Sequence, residues 1–188
     1  MIFSSARQKI EYSKKLYICE KEISAVKSTK FLGVVIDQHL RWHAHVSHIK
    51  KKIAKGLGII SKAKKYLNYE SLRTLYFSFI HPYFDYCLEV WGSANKTLIT
   101  SIFRLQKKAI RSITMSSYRA NTESLFKFCK IFTLEELHVF KISLFMFRVH
   151  KRIAPEIFFF IILQRIPCFI IIIPEVVEIF VLQDFNEK

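Results

Sequence analysis

The hydrophobic period of the chain changes at Asp37, and that change limits the possible folds more than any other feature. Before it, apolar residues come in short runs, MIF, KLYIC, EISAV and KFLGVVID, divided by polar breaks such as SSARQ and KSTK. Runs of this length between breaks predict strands in a small antiparallel meander. After Asp37, apolar residues recur at threes and fours: Val46, Ile49, Ile53, Leu57 and Ile60. That spacing places one apolar stripe along a helix. A chain of 188 residues is about one domain in size, and four Gly and four Pro are too few for a turn-rich all-β fold. An α+β chain is expected, with a small N-terminal meander followed by a mainly helical bundle.

Three more helices follow from local signals. Asn68 can cap one that carries Leu72, Leu75, Tyr76, Phe79 and Ile80 toward His81-Pro82, where the proline ends or kinks it. A second runs from about Asn95 to Met115, with Leu98, Ile102, Leu105, Ala109 and Ile113 inward and Lys96, Arg104, Lys107, Lys108 and Arg111 outward. The last opens at Thr133, three residues before Glu136, in the order of a capping box, and reaches about Arg152. Gly56 and Gly58 each weaken the helix after Asp37 by about 1 kcal/mol relative to Ala, which suggests close packing or a bend.

Charge is the main guide to function. Lys and Arg number 30 against 15 Asp and Glu, and residues 1–152 hold 28 of the basic and 10 of the acidic side chains. There is no acid from 38 to 69, where Lys50, Lys51, Lys52, Lys55, Lys62, Lys64 and Lys65 lie, and none between Trp91 and Thr122. A surface that is merely soluble mixes both signs, so two helices with purely cationic exposed sides point to a polyanion. Trp42, Tyr66, Tyr69, Tyr76, Phe77, Tyr83 and Tyr86 stand nearby and suit stacking on bases, although most aromatics of a globular chain are core.

Several chemistries are excluded. His39, His43, His45 and His48 crowd ten residues, but only the first two share a helix face at i,i+4, and no Cys or carboxylate completes a tetrahedral zinc set. The aspartates are Asp37, Asp85 and Asp184, with no adjacent pair, so the clustered carboxylates of two-metal nucleotidyl transfer are lacking. No glycine-rich phosphate loop or GxSxG elbow occurs. Cys19, Cys87, Cys129 and Cys168 are widely spaced and follow no secretory signal, as in reduced thiols of an intracellular protein, cytoplasmic or nuclear.

The ordered segments KFLGVVID, LRWHAHVSHIKKKIAKGLGII, LRTLYFSFIHPYFDYCLEVWG, LQKKAIRSIT, TESLFKFCKIFTLEEL and LFMFRVHK resemble the end of a reverse transcriptase from LINE-type, non-LTR, Jockey-like retrotransposons. The resemblance spans about residues 1–152. It implies palm-end strands over 1–37, with Phe31, Leu32 and Gly33 as the primer-grip hairpin, and a helical thumb and post-thumb region over 38–152. The lysines of 50–65, with Arg104, Lys107, Lys108 and Arg111, would then contact the phosphates of an RNA or RNA/DNA template-primer, independently of sequence. His45 matches the family's Trp-x-x-His turn, and the other histidines are incidental.

The resemblance also implies that the catalytic Tyr-x-Asp-Asp loop lies upstream of the MIFSS strand. The chain is therefore expected to be a fragment without the active centre, with no catalytic residue and no cofactor of its own, whereas the full-length family would use Mg²⁺. The palm and fingers would be further partners. Residues 153–188 depart from the family: 157–181 contain 14 Ile or Phe, yet Gln164, Arg165, Pro167, Pro174, Glu175 and Glu178 interrupt the roughly 20 apolar residues that a membrane span needs. Two rival readings are a basic membrane-associated protein anchored by this tail, and an inert translated pseudogene.

Overall fold

The computed structural model describes residue 3 and residues 16–155; the predicted MIF strand and the apolar tail lie outside the described residues. The chain forms two compact units, Met1–Ile131 and Phe132–Lys188. In the first, β1 (Leu16–Ile18) pairs antiparallel with β2 (Lys21–Ile23), and β3 (Ser28–Phe31) with β4 (Val34–Asp37). The α+β expectation holds, with the described strands arranged as two hairpins. The run KFLGVVID is divided: Leu32 and Gly33, at φ 44° and 85°, make a two-residue turn, and Phe31 pairs with Val34. Two successive residues at positive φ match the right-handed twist of a tight hairpin, and the glycine takes the second position without steric cost.

Helices follow: α1 (His43–Ala63), α2 (Tyr69–Phe79), α3 (His81–Asp85), α4 (Leu88–Trp91), α5 (Lys96–Ile113) and α6 (Thr122–Cys129). The predicted stripe of α1, Val46, Ile49, Ile53, Leu57 and Ile60, is buried, and α1 packs along both α2 and α5. Asparagine caps three helices: the Oδ1 atoms of Asn68, Asn95 and Asn121 accept from the backbone N–H of Ser71, Thr97 and Glu123. Pro82 sits in the first turn of α3, where its missing N–H costs nothing, so the chain turns there and starts again.

On α5 the inward face differs from expectation. Ile102, Ala109 and Ile113 are buried as predicted, but Gln106 and Ile110 are buried with them, and Leu98 and Leu105 are half-buried at the flank. Gln106 enters the core because its Nε2 donates to the Tyr76 hydroxyl at 3.4 Å, so a polar residue there has a partner.

In the second unit, α7 (Leu134–His150) begins with the predicted capping box: Thr133 Oγ1 accepts from the Glu136 N–H, and Glu136 Oε2 accepts from the Thr133 N–H at 2.8 Å. Among the described residues no helix is long and apolar enough to cross a membrane.

Candidate nucleic-acid interface

Asp37 fixes where α1 begins. Its Oδ1 accepts from the backbone N–H groups of His39 and Arg41 at 3.1 Å, and its Oδ2 from that of Trp42 at 2.9 Å. Partial burial pushes this carboxyl up, but the three backbone donors prevail and hold it below the usual carboxylate range. The turn leaves Trp42 at φ 65° and directs His45 inward.

His45 is a structural tie rather than a metal ligand. Its Nδ1 accepts from the Val35 N–H of β4 at 3.2 Å, and its ring lies edge-on to both Trp42 and Trp91. Burial, then the nearby charge of His48, lowers its pKa to about 4, so the imidazole is neutral, with its proton on Nε2. The same cluster continues outward. Trp91 Nε1 donates to the Tyr86 carbonyl at 2.9 Å, and the Tyr86 hydroxyl donates to the Leu32 carbonyl at 2.5 Å. The Tyr86 ring also lies 3.5 Å from where a Cβ on Gly33 would be. Three separate sequence segments, the Phe-Leu-Gly turn, the Trp-His-x-His turn and Tyr-Cys-x(3)-Trp-Gly, thus form one connected assembly.

That assembly presents the residues singled out in the sequence. Phe31 and Leu32 are 62% and 74% exposed at the hairpin tip, which is unusual for large apolar side chains, and Gly33 is exposed with them. On α1, Lys51, Lys55 and Lys62 recur at four and seven residues, on the side opposite the buried stripe. Lys50 and Lys52 flank them on either side, and Lys64 and Lys65 follow at the C-terminal end. Among the described residues no carboxylate lies within ion-pair distance of these lysines. At about 1.5 Å per residue, this charge is spread over roughly 20 Å of α1 and its C-terminal end.

The α5 set divides. Arg104 and Lys108 are exposed, whereas Lys107 lies 4.4 Å over the Phe103 ring and the Arg111 Nε donates to the Ala120 carbonyl at 3.1 Å. Those local contacts draw Lys107 and Arg111 partly away from solvent. Of the aromatics, Trp42 and Tyr76 belong to the core, while Tyr66 is 86% exposed beside Lys64 and Lys65.

Two features were missed by reading the sequence. Lys30 of β3 joins the positive surface: partial burial and the charges of Lys30, Lys52 and Lys51 push the His48 imidazole below its usual range. Its place directly before Phe-Leu-Gly was a usable signal. A cleft of about 340 Å³ opens between α1 and α5, lined by His43, Ser47, Lys50 and Lys51 on one side and Leu98 and Ser101 on the other. Helical spacing could not reveal it, because it depends on which helix lies against which. Lys108, seven residues beyond Ser101, lies on the same flank of α5.

Mg²⁺ does not fit this surface. Among the described residues no group of three His, Cys, Asp or Glu could hold a metal ion, and both oxygens of Asp37 are engaged by backbone donors.

Comparison with known proteins finds three curated relatives that share part of this chain. The chain is 28% identical over 123 residues, 63% of its length, to the probable RNA-directed DNA polymerase from transposon X-element of Drosophila melanogaster. It is 26% identical over 110 residues, 57% of its length, to the probable RNA-directed DNA polymerase from transposon BS of the same species. It is 27% identical over 106 residues, 54% of its length, to the RNA-directed DNA polymerase from the Drosophila mobile element jockey. The matched stretches cover only 12–13% of these relatives. No family model and no solved structure matches. The hairpin tip, the histidine tie and the cationic helices are therefore those of a chain similar, over more than half its length, to the RNA-directed DNA polymerases of non-LTR retrotransposons.

Proposed function

We propose that this chain is the template-primer-gripping part of an RNA-directed DNA polymerase of the non-LTR retrotransposon kind. It holds RNA or an RNA/DNA hybrid through its phosphates, without regard to sequence, and leaves nucleotide addition to carboxylates that it does not supply. The observation that carries this reading is the outward face of α1, where Lys51, Lys55 and Lys62 stand free of acids on one stripe. The likeness to polymerases supports it by naming a kind of protein that must hold a duplex. The apolar tip Phe31-Leu32-Gly33, latched by Tyr86, supplies a second contact, toward the primer end. No cofactor is needed for gripping, and the chain alone is catalytically silent.

The test is a salt titration of binding to a random-sequence RNA–DNA hybrid. Each neutralised phosphate releases counterions, so log K should fall linearly with log salt, with a slope of roughly −0.9 per contact. The triple substitution K51A/K55A/K62A should flatten that slope by about 2 to 3 units. A slope that is flat from the start, or unmoved by the triple substitution, refutes the reading, as does primer extension by the purified chain unaided.

A further inference from the structure

The two glycines in the middle of α1 have different surroundings. A Cβ built on Gly56 meets Ile80 Cγ1 at 2.8 Å and the Phe79 carbonyl oxygen at 2.9 Å, so the end of α2 passes too close for any side chain. A Cβ on Gly58 meets nothing within 4 Å. Gly58 is exposed, helical and lacks a positive φ. Glycine in such a position weakens a helix relative to alanine. Among the described residues no packing contact compensates for it.

Its position among the charges suggests what does. Gly58 lies three residues after Lys55, four before Lys62 and seven after Lys51, so helical spacing sets it within the length of the cationic stripe, along one edge of it. Long side chains before it, after it and on one flank, with only the small exposed Ala54 and Ser61 on the other flank, leave a saddle in which the helix backbone itself is the floor. A polyanion narrow enough to lie in the saddle could approach the backbone while the ammonium groups close on it from their flexible stems. A sugar–phosphate backbone has that shape and that charge. An anionic bilayer does not, because it is broad and would rest on the lysine tips wherever the floor lay.

The geometry points to Gly58 as a close-approach point for the backbone of a nucleic acid, with Lys51, Lys55 and Lys62 as the surrounding cations. This rests on the nucleic-acid reading above and adds to it the requirement for an absent side chain. The charge complementarity belongs to the whole stripe, whereas steric sensitivity belongs to this one position.

Stability and affinity should therefore move in opposite directions. In the full chain, G58A should raise the melting temperature by a few degrees, about what a gain in helix propensity gives in a protein of this size. It should weaken binding to a random-sequence RNA–DNA hybrid about fivefold, the worth of roughly one phosphate contact. Gly58→Gln, larger but uncharged, should weaken it by about tenfold or more. Both variants should leave binding to phosphatidylserine vesicles unchanged. Unchanged or tighter duplex binding by both variants overturns the close-approach site, and so does a loss confined to the vesicles. K51A/K55A/K62A separates the two failures: if it weakens duplex binding and the glycine variants do not, only the close approach is wrong. If none of the three matters, the gripping function fails with it.

Discussion

His45 shows how one side chain can make the fold sensitive to acid. It is neutral in the folded chain, accepting from Val35, and burial with the charge of His48 lowers its pKa from 6.5 to about 4. In the unfolded chain it takes up a proton near its ordinary value. Below pH 6.5 the unfolded state thus binds more protons than the folded state, and stability declines until the pH reaches about 4. The loss should be on the order of 3 kcal/mol, and urea midpoints across that range would measure it. Asp37, held below its ordinary pKa of 3.8, adds a further loss as the pH falls below that value. A His45→Phe variant keeps the ring but cannot titrate, so its stability should be lower at neutral pH and flatter from 6.5 down to 4; an unchanged slope would assign the acid sensitivity elsewhere. Gly56 makes the complementary steric point: G56A should cost about 2 kcal/mol by forcing α2 outward, seen as a lowered melting temperature. The sequence suggested close packing or a bend at both glycines, and close packing is found at Gly56 alone. Two glycines two residues apart look alike in a sequence and differ only in what passes over them.

At the scale of elements, the sequence was most informative where the signal is local. The apolar stripe of α1, the Asn68 cap and the Thr133–Glu136 capping box all rest on residues within one or two turns of each other, and all three are present. Replacing Asn68 by Ala should lower stability by about 1 kcal/mol, since Oδ1 would no longer satisfy the Ser71 N–H; a thermal melt would register it. Reading failed where an element depends on a distant partner. The run KFLGVVID looked like one strand, yet it is a hairpin whose turn is secured by Tyr86, 54 residues from Leu32. Leu105 fits an inward period, yet Gln106 is buried in its place because Tyr76 offers a hydroxyl. Short helices such as α3 and α4 are too brief for a period to show.

For the molecule as a whole, charge was the most legible property and its placement the least. Counting alone marks residues 1–152 as strongly cationic. It cannot tell that Lys107 and Arg111 are engaged with their neighbours while Lys30 joins the surface of α1 from another element. Similarity to polymerases and the unmixed sign of α1 both support the proposed grip on a template-primer, one through likeness to known proteins and one through electrostatics. The tie from Val35 through His45, Trp91 and Tyr86 to Leu32 also carries a kinetic consequence. Local pairing can form β3–β4 early, but its tip cannot be latched until a segment some fifty residues later in the chain has closed a long loop, a slow step on entropic grounds. Pulse-labelled amide exchange should therefore find Val34 protected in step with Trp91, the last of the hairpin to settle being the end that faces the solvent.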